Sequence, residues 1–150
     1  MTAKSKPTLG LDWDGTVSAY PEACAMLAKG FGRCIVITLN DDITLEQAVK
    51  TLGCARIIVE ACPYSRTDYT AWKVEMCRKH KVNLFVEDDP DIAESCEQAG
   101  IPTLLVAVHL HGVNNRKFRW QPKDSLASCK IGLVSFRCTN ESQKLFALLH

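Results

Sequence analysis

Through the first two-thirds of the chain, short apolar runs alternate with longer stretches whose apolar positions recur at helical spacing. Runs at residues 8–13, 34–38, 56–60, 83–87 and 103–108 read as five strands, each short and most rich in β-branched residues. Helices are expected over residues 21–29, 44–52, 69–80 and 90–99. Pro21 suits a first helical turn, and Thr44 with Gln47 forms a capping-box pattern. Gly53 and Gly100 stand where helices stop. Regular alternation of strand and helix predicts an α/β fold: a mostly parallel five-stranded sheet with helices on both faces. Residues 130–137 read as one further strand, residues 141–149 as a short helix, and residues 111–128 as a loop or irregular hairpin.

A chain of 150 residues has the size of one domain and can bury a core without staples. No apolar run approaches the ~20 residues of a membrane helix, and the polar start of the chain does not read as a signal peptide. A cytoplasmic protein with no membrane partner is therefore expected. The eight cysteines form no C-x-x-C pair and mostly lie inside apolar patterns, so buried reduced thiols are expected rather than zinc ligands or a disulfide framework. Charge is uneven: residues 1–108 hold 11 Lys and Arg against 15 Asp and Glu, and residues 109–150 hold 7 against 2. The first part reads as a core and residues 109–150 as a basic extension packed on the same domain, next to a surface that attracts anions.

In parallel sheets, ligands bind beyond the carboxyl ends of the strands. Asp12 and Asp14 come after the first strand, Thr38, Asn40, Asp41 and Asp42 after the second, and Glu87, Asp88 and Asp89 after the fourth. Asp12 and Asp14 stand two apart where an apolar strand gives way to Gly15 and Thr16. Two close carboxylates repel unless a proton or a cation separates them, so the pair points to a metal site or an acid/base pair.

Asp12-Trp13-Asp14-Gly15-Thr16 after an apolar strand resembles the first motif of the haloacid dehalogenase superfamily. The resemblance continues in order with Thr38 ending the second strand, Lys73 early in a later helix, and Asp88-Asp89 after the fourth strand. It covers roughly residues 8–108 and implies a three-layer, Rossmann-like sandwich. It implies that Asp12 attacks phosphorus to form an aspartyl-phosphate, and that Asp14 serves as acid and then base. It further implies that Asp12, Asp88 and the backbone carbonyl of Asp14 hold Mg²⁺. Asp89, which precedes Pro90, either supports these ligands from behind or caps the helix that follows. Thr38 would bond a phosphoryl oxygen, Lys73 would neutralise charge, and Gly15 would let the backbone approach the phosphate. Thr16 and Asn40 are weaker substrate-binding candidates. Only 23 residues separate Asp14 from Thr38, and 34 separate Thr38 from Lys73, so no substantial cap domain is expected and the site should be open. The pattern is similar to short, capless members of the superfamily found in phage and bacterial genomes.

The expected function is thus a Mg²⁺-dependent phosphatase acting on a phosphorylated substrate, either a small molecule such as a nucleotide or a nucleic-acid end. A homo-oligomer stays open. Arg116, Lys117 and Arg119, set beside Phe118 and Trp120, are the residues of the extension that would meet a nucleic acid. The competing expectation is a non-catalytic binding protein on the same scaffold, engaging nucleic acid through that basic tail. His109 and His111 read as surface residues, and Trp13 and Trp72 as either site walls or core.

Overall fold

The structure is a computed structural model that describes residues 6–54, 56–107, 128–131 and 134–138. Its elements run β1 (Thr8–Leu11), α1 (Pro21–Ala28), β2 (Arg33–Thr38), α2 (Leu45–Leu52), β3 (Ile57–Ala61), α3 (Tyr69–Lys79), β4 (Leu84–Glu87), α4 (Pro90–Gln98), β5 (Thr103–Ala107), β6 (Ser128–Ile131) and β7 (Val134–Cys138). Strands and helices through residue 107 keep the expected order and type. The interval from Asp14 to Thr38 is taken up by a turn, α1 and β2; that from Thr38 to Lys73 holds α2, β3, a loop and the first turn of α3.

The sheet order is β3-β2-β1-β4-β5-β7-β6. The first five strands pair in parallel, as the βαβ alternation requires. These five are the expected parallel sheet, and two further strands extend it: β7 adds antiparallel to β5 and β6 antiparallel to β7. The single strand expected over residues 130–137 is instead parts of two, which meet at the pair Ile131 and Val134. A run of alternating apolar residues hid the break, and Gly132 is its only turn signal. The expected helix over residues 141–149, the loop over residues 111–127, and His109, His111, Arg116, Lys117 and Arg119 lie outside the described residues.

Strand side chains alternate between faces, so each inner strand feeds two cores. Leu9, Leu11, Cys34, Val36, Leu84 and Val86 join Cys24 and Ala28 of α1 and Ala48 and Leu52 of α2 in one cluster. Ile35, Ile37 and Phe85 join Trp72, Met76 and Cys77 of α3 and Ile92 and Cys96 of α4 in the other. Full burial of a Leu or Phe side chain contributes about 1.5–3 kcal/mol, so these clusters hold the helices to the sheet. Gly10 is part of this packing: a Cβ there would lie 2.9 Å from Phe85 Cδ2 and 3.0 Å from Val82 Cγ1. Trp13 and Trp72 belong to the two clusters, one to each. Cys24, Cys34, Cys54, Cys62, Cys77 and Cys96 are free thiols, and all of these but Cys54 are buried. No helix among the described residues is long and apolar enough to cross a membrane.

Side-chain caps mark the starts of α2, α3 and α4. Thr44 Oγ1 accepts from Gln47 N–H at 3.2 Å, and Gln47 Oε1 accepts from Thr44 N–H at 2.9 Å, completing the capping box. Gly53 ends α2 at φ 63°, a left-handed conformation that glycine takes without strain. At the starts of α3 and α4, the Asp68 side chain accepts from Ala71 N–H and the Asp89 side chain from Asp91 and Ile92 N–H. Thr44→Ala should lower stability by about 1 kcal/mol. Urea denaturation would read this as a lower midpoint at unchanged slope, whereas an unchanged midpoint would mean that the box contributes nothing.

Candidate functional site

Strand order reverses direction at β1, which has β2 on one side and β4 on the other. β1 and β4 run side by side in parallel, so the residues after the two strands share one corner at the carboxyl edge. Asp12 continues the ladder by donating its N–H to Val86 O at 2.9 Å. The chain then turns through residues 13–17. Val17 N–H bonds back to Asp12 O at 3.4 Å, and Ser18 N–H to Trp13 O at 2.9 Å. Inside the turn Asp14 is extended and Gly15 is left-handed at φ 77°. That reversal carries Asp14 to an exposed position while Asp12 stays buried.

Lys73, in the second turn of α3, is 2% exposed. Its Nζ donates to Asp12 Oδ1 and to Glu87 Oε2, each at 2.7 Å. Glu87 is 1% exposed, and its other oxygen accepts the N–H groups of Asp88 and Asp89, both at 3.1 Å. A buried ammonium or carboxylate costs several kcal/mol unless paired and hydrogen-bonded, and here each charge has such partners. Burial pushes the Asp12 carboxyl up to about 6, against the pull of Lys73. Burial, then the Asp12 charge, pushes Glu87 up to about 8. Burial opposes the charge on Lys73, but Glu87 and Asp12 outweigh it and hold its pKa above the ordinary lysine value.

Asp12, Glu87 and Asp88 each offer a carboxylate oxygen within 4.8 Å of the others. Three acids around one lysine leave an excess of negative charge that a cation would neutralise. Hard oxygen donors suit Mg²⁺ or Ca²⁺. Both Glu87 oxygens are already engaged, one by Lys73 and one by backbone N–H groups, which leaves Asp12 and Asp88 as the better donors. Gly15 keeps this space open: a Cβ there would fall 2.1 Å from Asp88 Oδ2.

The remaining predicted residues fall into two groups. Asp14, Asn40 and Thr38 form a chain: Asn40 Nδ2 donates to Asp14 Oδ1 at 3.5 Å, and Asn40 N–H donates to Thr38 Oγ1 at 3.0 Å. Thr38 is fully buried at the end of β2, and its hydroxyl proton is still available to donate. Thr16 is fully buried, and its Oγ1 has no hydrogen-bond partner among the described residues. Asp89, by contrast, directs Oδ1 to the N–H groups of Asp91 and Ile92, so it caps α4. Sequence reasoning left Glu87 without a role; its burial and its bond to Lys73 make it a full member of the cluster. The signal for it was an acid as the last residue of an inner, wholly buried strand.

No family model, curated protein or solved structure matches the chain.

Asp12 and Glu87 bind protons more tightly when folded than at their ordinary values of 3.8 and 4.5. Their contribution to stability is therefore present below those ordinary values and is lost as pH rises through about 6 and about 8. In chelator, Glu87→Gln should flatten the fall in Tm between the ordinary glutamate value of 4.5 and about 8. An unflattened profile would place Glu87 outside the electrostatic cluster.

Proposed function

We propose that the chain is a Mg²⁺-dependent phosphohydrolase of the haloacid dehalogenase type, with Asp12 as nucleophile and Asp14 as acid and base. The observation that supports this reading best is the division of labour between the two aspartates. Asp12 is buried, held by Lys73 through Oδ1, and keeps Oδ2 to attack. Asp14, two residues on, stands exposed beside Asn40, where a leaving oxygen and then a water can reach it.

In the proposed reaction Asp12 Oδ2 forms a bond to phosphorus as the ester oxygen departs, and Asp14 gives that oxygen its proton. Asp14 then takes a proton from water, whose oxygen attacks phosphorus and releases Asp12 with inorganic phosphate. Thr38 and Lys73 offer donors to the phosphoryl oxygens, which matters because this chemistry depends on positioning and charge neutralisation. Asp12, Asp88 and the Asp14 carbonyl would hold Mg²⁺, which supplies further positive charge against the phosphoryl group. The exposure of Asp14 beside the half-buried Asn40 fits an open site, one that admits a small phosphomonoester or a nucleic-acid end.

Purified protein should hydrolyse an aryl phosphate with Mg²⁺ and not with chelator. Asp12→Asn should lower turnover on the order of 10³-fold or more at unchanged fold. Normal turnover in that variant would remove Asp12 as nucleophile. Asp88→Asn should raise the Mg²⁺ concentration needed for half-maximal rate; an unchanged requirement would move the metal elsewhere.

A further inference from the structure

The two ends of the sheet carry opposite charge. Asp12, Asp14, Glu87 and Asp88 gather at the carboxyl edge, whereas the segments entering four neighbouring strands each bring one cation to the amino edge. In sheet order these are Arg56 before β3, Arg33 opening β2, Lys6 before β1 and Lys81 before β4. All four line a single cleft of about 680 Å³, and no carboxylate lines it among the described residues. None of the four forms a salt bridge with a carboxylate among the described residues.

Local packing builds the row. Gly32 N–H bonds Pro7 O at 2.9 Å, and a Cβ at Gly32 would lie 2.7 Å from Lys6 Cβ, so glycine lets the Lys6 segment lie against the entry to β2. Arg33 Nε donates to Thr8 Oγ1 at 3.0 Å, and its Nη2 donates to His80 O. The guanidinium thereby ties the entries of β1 and β2 to the residue before Lys81. Lys81 itself is left-handed at φ 53°, the one non-glycine residue with positive φ among the described residues. Arg56 O accepts from Cys34 N–H at 2.9 Å, which keeps Arg56 next to Arg33.

We propose that this amino-edge cleft binds the phosphodiester backbone of single-stranded nucleic acid. Neighbouring strands lie ~4.8 Å apart, so four cations, one per strand, span about 14 Å. A stacked nucleic-acid strand carries one phosphate per ~3.4 Å along its axis, so the row spans about five phosphates, enough for every cation to meet one. A linear array fits a linear polyanion better than one isolated phosphate. No aromatic side chain lines the cleft among the described residues, so binding rests on phosphates and is indifferent to base. The surface is remote from the carboxyl edge, and its test makes no use of catalysis.

The test is anisotropy of a short fluorescein-labelled oligothymidylate titrated with the full chain at several salt concentrations. The comparison is the combined variant Lys6→Gln, Arg56→Gln and Lys81→Asn, whose three sites are exposed and make no side-chain hydrogen bond among the described residues. Thermal unfolding verifies that the variant is folded. The proposal expects the variant to lose about two units of slope of log K against log salt, ~0.7 per cation, and oligodeoxyadenylate to bind like oligothymidylate. An unchanged slope in the folded variant, or no binding by the wild type, would overturn it. So would displacement by inorganic phosphate or by polyglutamate of matched charge as effective as that by unlabelled oligonucleotide.

Discussion

The structure depends on one buried ammonium. Lys73 holds Asp12 and Glu87 at 2.7 Å each, and all three are almost wholly removed from water. Desolvation drives both carboxyls towards the neutral acid, and the Lys73 ammonium pulls each of them back towards the charged form. The bridge also joins three elements that approach the same corner from different parts of the chain: the end of β1, the second turn of α3 and the end of β4. Removing Lys73 would leave two acids facing each other in an apolar surround, and so the cation is as much a condition of the fold as of any chemistry.

That interaction explains why the acids on either side differ in character. Asp12 is fixed by its ladder bond to Val86 and by Lys73, which makes it a rigid group with one oxygen committed. Asp14 lies beyond the bend in the turn, exposed and hydrogen-bonded only to Asn40 among the described side chains. Gly15 is required at the point beyond them because its left-handed backbone and missing Cβ leave Asp88 in place. A rigid buried carboxylate and a solvated one, two residues apart, are what the proposed two-step transfer asks of its nucleophile and its acid. The excess of acid over base in the same corner is what a divalent cation would relieve.

Much of this was legible in the chain. Short apolar runs alternating with helical stretches were enough for the parallel α/β core, since Pro21, Thr44 with Gln47, Gly53 and Gly100 mark helix ends by local chemistry. The polar residues after β1, β2 and β4 were legible as one edge because parallel strands bring their carboxyl ends together. Glu87 was not, since its meaning lies in burial and in a partner 14 positions away that only the packing of α3 supplies. Nor was the β6–β7 pairing, because the sequence between the two strands offers a single turn signal, Gly132. The amino-edge row was invisible for a related reason: Lys6, Arg33, Arg56 and Lys81 become neighbours only through the order β3-β2-β1-β4.

The phosphoryl-carrying role proposed for Asp12 is read most directly by acid-quenched mass spectrometry of the protein during turnover of an aryl phosphate, with peptide mapping. One phosphoryl group is expected on the carboxylate of Asp12, present with Mg²⁺ and absent with chelator. A phosphoryl group mapped to any other residue under turnover conditions would contradict it.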